Sequence, residues 1–145
     1  ADTAAHLVDR VFPVVPVRQC VLSLPFALRY RMAYDRHLNS DVGNVFIRAL
    51  FGELRRRAKQ LPGLRSSQCG AVTFVQRFGD ALNANVHFHS MVLDGVNAAG
   101  ASHRPEFYRL LAPEDHDVLR LTALVSERVR SLLERRGLGP EADPH

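Results

Sequence analysis

The sequence predicts an α+β domain in which an antiparallel sheet carries its helices on one face. Three observations lead there. Residues 70–95, GAVTFVQRFGDALNANVHFHSMVLDG, contain two apolar runs, Ala71–Val75 and Val86–Leu93, folded back about a polar turn from Gly79 to Ala84. Three other stretches repeat apolar residues at helical spacing: 26–38, 42–60 and 113–136. The chain is 145 residues long, 46% hydrophobic and 23% charged, which suits one domain with a core of its own.

Residues 1–17 read as an extended lead-in, because Pro13 and Pro16 exclude a helix. Gln19–Leu24 follows as a short strand stopped by Pro25. Phe26, Tyr30, Tyr34 and Leu38 recur at i, i+4 spacing, one apolar stripe of a helix with Arg29, Arg31 and Arg36 around it. Asn39-Ser40-Asp41 reads as a break and cap. A second helix is expected from Val42 to Gln60, burying Val45, Phe46, Leu50, Phe51, Leu54 and Ala58 and stopped by Leu61-Pro62-Gly63.

After the hairpin, Asp94-Gly95 and Asn97–Gly100 have turn chemistry, and Glu106–Leu111 is a short strand candidate. Pro113-Glu114-Asp115 opens the last helix, with proline early and acids in the first turn. Its buried row is Val118, Leu121, Val125, Val129, Leu132 and Leu133, and Gly137 ends it. Residues 138–145 are expected to trail off as a disordered tail. Strand, helix, helix, hairpin, strand, helix is the order of a split sandwich related to ferredoxin-like folds.

Composition excludes several classes. No apolar run approaches the roughly 20 residues of a membrane span, and ADTAAHLVDR lacks the pattern of a signal peptide, so a cytoplasmic chain with no membrane partner is expected. Cys20 and Cys69 stand alone without C-x-x-C spacing, which removes a zinc ribbon or a disulfide framework. Both are expected as small, reduced, buried residues in strands. The net charge is +4, and 18 of the 19 basic residues are arginine, Lys59 being the exception. Guanidinium forks match phosphate oxygens, which favours a nucleic-acid partner, although a GC-rich genome also replaces lysine with arginine.

The chemistry gathers at His87-Phe88-His89. Strand alternation points both imidazoles to one face and Phe88 to the other. Pairing symmetric about the turn puts Gln76 opposite His87 and Phe74 opposite His89, so that Gln76, Asn85, His87 and His89 share a face. Two imidazoles and an amide oxygen make a weak, open, largely neutral site, suited to Mg²⁺ or Mn²⁺ that keeps waters and binds a substrate phosphate. The same H-x-H also occurs as an ordinary cross-strand pair. Arg55, Arg56, Arg57 and Lys59 form a basic helix end, and Arg77 lies on the hairpin. These five are the candidate DNA contacts, with a solvated helix end as the plainer account.

RQCVLSLPFALRYRMAYD and CGAVTFVQRFGDALNANVHFHSMVLDGV, with the FYRLLAPEDHDVLRLTALVSERVRSLLERRG tail, resemble the transposase domain of the insertion sequence 91 family. That family belongs to the HUH nuclease superfamily, and the likeness runs from about Val11 through the last helix. The resemblance implies an HUH endonuclease-like fold over residues 18–137 and single-stranded DNA at transposon ends as partner. It implies His87 and His89 as ligands of a divalent metal that polarises the scissile phosphate. A tyrosine hydroxyl would attack, leaving a 5′-phosphotyrosine and a free 3′ hydroxyl that primes rolling-circle transposition. Gln76 as third ligand comes from the register and not from the family motif.

The sequence also departs from that family. Its members carry catalytic tyrosines well downstream of the histidines and usually a zinc ribbon ahead, whereas Tyr108 is the one tyrosine here after His89. Cys20 stands where relatives are expected to have an aromatic residue. The chain is therefore expected to hold the metal half of a nicking site without its nucleophile. Tyr30 and Tyr34 imitate a two-tyrosine nucleophile at i, i+4, and relaxases do place the tyrosine first. The apolar stripe gives them a packing role instead. Two other readings remain: a non-catalytic module for single-stranded nucleic acid, and a cupin-like metalloenzyme, which the three helical stretches disfavour.

Overall fold

The computed structural model describes residues 14–79, 83–101 and 103–139. Their elements are β1 (Val17–Ser23), α1 (Phe26–Tyr34), α2 (Arg36–Ala58), β2 (Arg65–Gln68), β3 (Ala71–Phe78), β4 (Ala84–Leu93), β5 (Gly95–Ala99), β6 (Pro105–Arg109) and α3 (Asp115–Arg135). The fold is α+β, with its strands divided between two antiparallel three-stranded sheets. One has the order β1-β4-β3 and the other β2-β5-β6.

Alternation along β4 builds the core. Val86, Phe88, Ser90 and Val92 are buried, while His87, His89 and Met91 between them are only half-buried. Phe88 packs with Met32 of α1, Leu38, Val42, Phe46 and Leu50 of α2, and Val125, Val129 and Leu133 of α3. All three helices therefore serve the face to which Phe88 points. The buried Ser90 hydroxyl is satisfied by Thr73 Oγ1 at 3.0 Å across the strand pair. Val96, Ala98, Leu110 and Ala58 form a smaller cluster where the end of α2 meets the second sheet.

The chain passes from one sheet to the other at Asp94-Gly95. Turn chemistry was the expectation here, yet no reversal occurs: β5 continues directly to Ala99. Asp94 is 6% exposed and held by Arg18, whose Nε and Nη2 each donate to a carboxylate oxygen at 3.0 Å. That pairing raises the Arg18 pKa above its usual value. Gly95 is required by space, since a Cβ there would fall 2.2 Å from the Tyr108 carbonyl oxygen. β5 and the short β2 were both missing from the sequence reading, Asn97–Gly100 having been assigned to a turn.

The helix boundaries also differ. α1 ends at Tyr34 and α2 starts at Arg36, with the Asp35 carboxylate accepting from Leu38 N at 2.9 Å, so the break precedes the expected Asn39-Ser40-Asp41. Asn39 is instead buried inside α2, its amide donating to the Met32 carbonyl oxygen at 2.5 Å. Leu38 thus belongs to α2, and the stripe Phe26–Tyr34 faces solvent while Met32 and Ala33 face the core. At the last helix the expected start and stop hold, but Val118, expected in its buried row, is 50% exposed. The Glu114 backbone N–H donates to the Asp117 carboxylate at 2.9 Å, and Gly137 (φ 69°) closes the end as Leu138 N–H reaches the Leu133 oxygen at 2.8 Å.

α3 is clamped to α2 by charge. Arg120 reaches both Glu53 and Asp117 at 2.8 Å, and Arg56 reaches Glu53 at 2.8 Å. Arg56 first, and then Arg120, lower the Glu53 pKa, while the Glu114 N–H and Arg120 lower that of Asp117. Cys20 lies in β1, whereas Cys69 falls between β2 and β3 and not in a strand. Both thiols are free, half-buried and pushed up in pKa by burial. The lead-in 1–13 and the tail from 140 lie outside the described residues, but Leu138 packs against the core. Among the described residues no helix is long and apolar enough to cross a membrane.

Candidate functional site on the open sheet face

The second face of the β1-β4-β3 sheet is built by the residues that alternate with the core set. β4, the central strand, presents His87 and His89. On one side Ser23 pairs with His87 and Val21 with His89; on the other, Gln76 pairs with His87 and Phe74 with His89. The register expected from the symmetric hairpin is the register found. Val21 and Phe74 are 51% and 40% exposed, so this face meets solvent.

The two imidazole centroids are 6.2 Å apart, with planes inclined at 73°. Each ring is held by β1 through its Nδ1: Ser23 Oγ lies 3.3 Å from that of His87, and Gln19 Nε2 lies 3.2 Å from that of His89. Holding Nδ1 orients the ring and leaves Nε2 as its outer nitrogen. An amide N–H donating to His89 Nδ1 puts the ring proton on Nε2. Freeing Nε2 for a cation then requires the Gln19 amide to turn, so that its oxygen receives Nδ1–H. Sequence reasoning missed both partners. The polar alternation of Gln19 and Ser23 is visible, but no turn in the sequence says which strand β1 joins.

Gln76 donates its amide nitrogen to the Phe78 carbonyl oxygen at 3.3 Å, which leaves Oε1 as its uncommitted polar atom. Among the described residues no group of three or more His, Cys, Asp or Glu side chains is placed to hold a metal ion. Beside the two histidines Gln76 offers a neutral amide, directly opposite His87. Such a set fits an open site completed by waters and a phosphate oxygen and does not fit a closed structural zinc. Asn85 departs from its expected place. β4 has one residue more than β3 between the pairs Gln76–His87 and Phe78–Ala84, and beyond this bulge Asn85 lines a recess with Phe26, Arg29 and Tyr30.

The candidate basic residues lie elsewhere. Arg55 donates to the Ser67 carbonyl oxygen at 3.4 Å, Arg56 belongs to the α2–α3 clamp, and Arg57 donates to the Leu111 carbonyl oxygen. Lys59 is exposed at the end of α2. α2 packs on the Phe88 side of the sheet, so this helix end does not share a face with the histidines. Arg77 lies beside Arg36 and Asn44 in a groove that also contains Phe88. Tyr30 and Tyr34 are 71% and 67% exposed on α1, and Tyr108 lies in the second sheet with its hydroxyl 3.5 Å from Glu106.

Residues 70–138 match the model of a protein family described as "Putative transposase". No curated protein and no solved structure matches the chain. The matched stretch contains β3 to α3, and with them Gln76, His87 and His89, while β1, α1 and α2 lie outside it. Over the stretch that carries the histidine pair, the chain is transposase-like.

Proposed function

We propose that this chain is a DNA-transposition domain of the rolling-circle, HUH type, which lays single-stranded DNA on the open sheet face and takes part in nicking it. The observation that carries this reading is the pair His87 and His89 on one solvent-facing side of a central strand, inside the transposase-like stretch, with Gln76 opposite. In this reading His87, His89 and Gln76 hold Mg²⁺ or Mn²⁺, and imidazole nitrogen favours Mn²⁺ of the two. A cation bound there supplies Lewis-acid polarisation of a phosphate oxygen. Ser23 and Gln19 keep the rings facing outward, and the rigid β-ladder fixes their separation. No tyrosine of this chain is assigned as nucleophile.

Calorimetric titration with Mn²⁺ tests the site. Weak binding by the wild-type chain is expected, falling at least about tenfold in His87→Ala and in His89→Ala. Unchanged affinity in both variants would sink the metal assignment. Incubation with Mn²⁺ and labelled single-stranded DNA is expected to give no covalent protein–DNA adduct. An adduct lost in Tyr30→Phe or Tyr34→Phe would make α1 the source of the nucleophile. A second reading, a non-catalytic binder of single-stranded nucleic acid, draws on the exposed Val21 and Phe74 beside the histidines. It expects DNA affinity to survive His87→Ala.

A further inference from the structure

α1 is oriented against its own composition. Phe26, Tyr30 and Tyr34 form an i, i+4 row that would bury well, yet they are 83%, 71% and 67% exposed while Met32 and Ala33 supply the core contact. The row is also organised. The Tyr30 and Tyr34 centroids are 5.2 Å apart, and Tyr34 meets the edge of Phe78, 37% exposed on β3, at 6.1 Å. The β3–β4 register shifts between Gln76 and Phe78, and Phe78 pairs with Ala84, which packs against the helix-side core, so the aromatic surface continues from α1 onto the end of β3. An exposed run of several large aromatics is not an ordinary scatter of surface apolar residues.

Charge names the occupant. Arg31, Arg36 and Arg77 stand within two residues of Tyr30, Tyr34 and Phe78 in sequence, are exposed, and make no ion pair among the described residues. The only acid between Leu24 and Arg36 is Asp35, which caps α2. Aromatic faces interleaved with uncompensated guanidinium groups match a chain of unpaired bases on a phosphate backbone. The position agrees with this. Tyr30 shares its recess with Asn85, two residues before His87, which is about 7 Å along the strand.

From these observations we infer that Phe26, Tyr30, Tyr34 and Phe78 form a base-stacking platform for unpaired nucleobases of a single strand, at the end of the hairpin that carries the histidine pair. The inference rests on the single-strand reading above and adds to it a site on α1. Its two tyrosines act through their ring faces.

The test is fluorescence anisotropy of a labelled oligothymidylate with the full chain and no metal present. Tyr30→Ala/Tyr34→Ala is expected to weaken binding roughly 5- to 100-fold, the range that stacking of one base allows. Tyr30→Phe/Tyr34→Phe is expected to restore wild-type affinity, since the ring faces remain. An abasic strand of equal length is expected to bind wild type as weakly as the alanine pair binds the normal strand. If the wild-type chain binds no single strand, the functional reading itself is overturned. If it binds and the alanine pair binds equally well, only the platform is overturned. Equal binding together with loss of self-association in light scattering would make the patch a contact between copies, which also overturns the platform. Both substituted side chains are exposed, and circular dichroism checks that the variants fold.

Discussion

The two faces of the β1-β4-β3 sheet are made from the same strands and do opposite work. On the inner face of β4, Val86, Phe88, Ser90 and Val92 are packed or paired to completion. On the outer face, His87 and His89 have one nitrogen each held by β1, and the strands beside them expose Val21 and Phe74. Single-residue alternation separates stability from chemistry with no change of element. The inner face ties the sheet to three helices, and the outer face can change its side chains without disturbing that packing.

The sharpest test of this separation is a pair of neighbours. Phe88→Ala empties a site that is 0% exposed and is expected to cost about 3–5 kcal/mol in urea denaturation. His87→Ala and His89→Ala are expected to stay within about 0.5 kcal/mol of wild type in the same experiment. A histidine variant as destabilised as Phe88→Ala would break the comparison. Next in size is the support that β1 gives the rings. Ser23→Ala and Gln19→Ala are expected to weaken Mn²⁺ binding about tenfold in calorimetry while the urea midpoint stays put. A matching fall in stability would mean that these contacts hold the sheet and not the site.

The smallest expected effect belongs to the helix side and to acid. Glu53 and Asp117 have folded pKa values below their ordinary 4.5 and 3.8. Their contribution is present above those ordinary values and is lost as the pH falls through the lower folded ones. The α2–α3 clamp therefore loosens in strongly acidic solution. Glu53→Gln is expected to flatten the acid limb of stability against pH while leaving Mn²⁺ binding at neutral pH unchanged. An acid limb of wild-type steepness in that variant would remove Glu53 from the account.

What could be read from the residues followed the range of the interactions that place them. The hairpin register was legible because the turn lies between the two strands and the apolar alternation is strong, so Gln76 and Phe74 fell opposite His87 and His89 as expected. The bulge near Asn85 was not legible, since one extra residue in β4 leaves no local mark. Asp94-Gly95 has the composition of a turn. Its real conformation depends on Arg18, 76 residues away in sequence, and on the Tyr108 carbonyl. On α1 the spacing was read correctly and its direction was not. Aromatic residues at i, i+4 imply a row, but which way the row turns is decided by Met32, Ala33 and the capping of α2 by Asp35. The basic end of α2 was visible as charge, while its ties to Glu53, Ser67 and Leu111 needed the third dimension.

The pairing of β1 with β4 has a consequence for how the chain acquires its site. The β3–β4 hairpin closes over a short loop and is available early, histidines included. β1 must find β4 across some 70 residues, the separation of Gln19 from His89, and so closes a far longer loop than the hairpin does. The contacts that orient the two rings are thus expected to form later than the hairpin that carries them. During synthesis the histidines emerge after β1, so the strand that will hold them waits, unpaired on that edge, until residue 93 has left the ribosome.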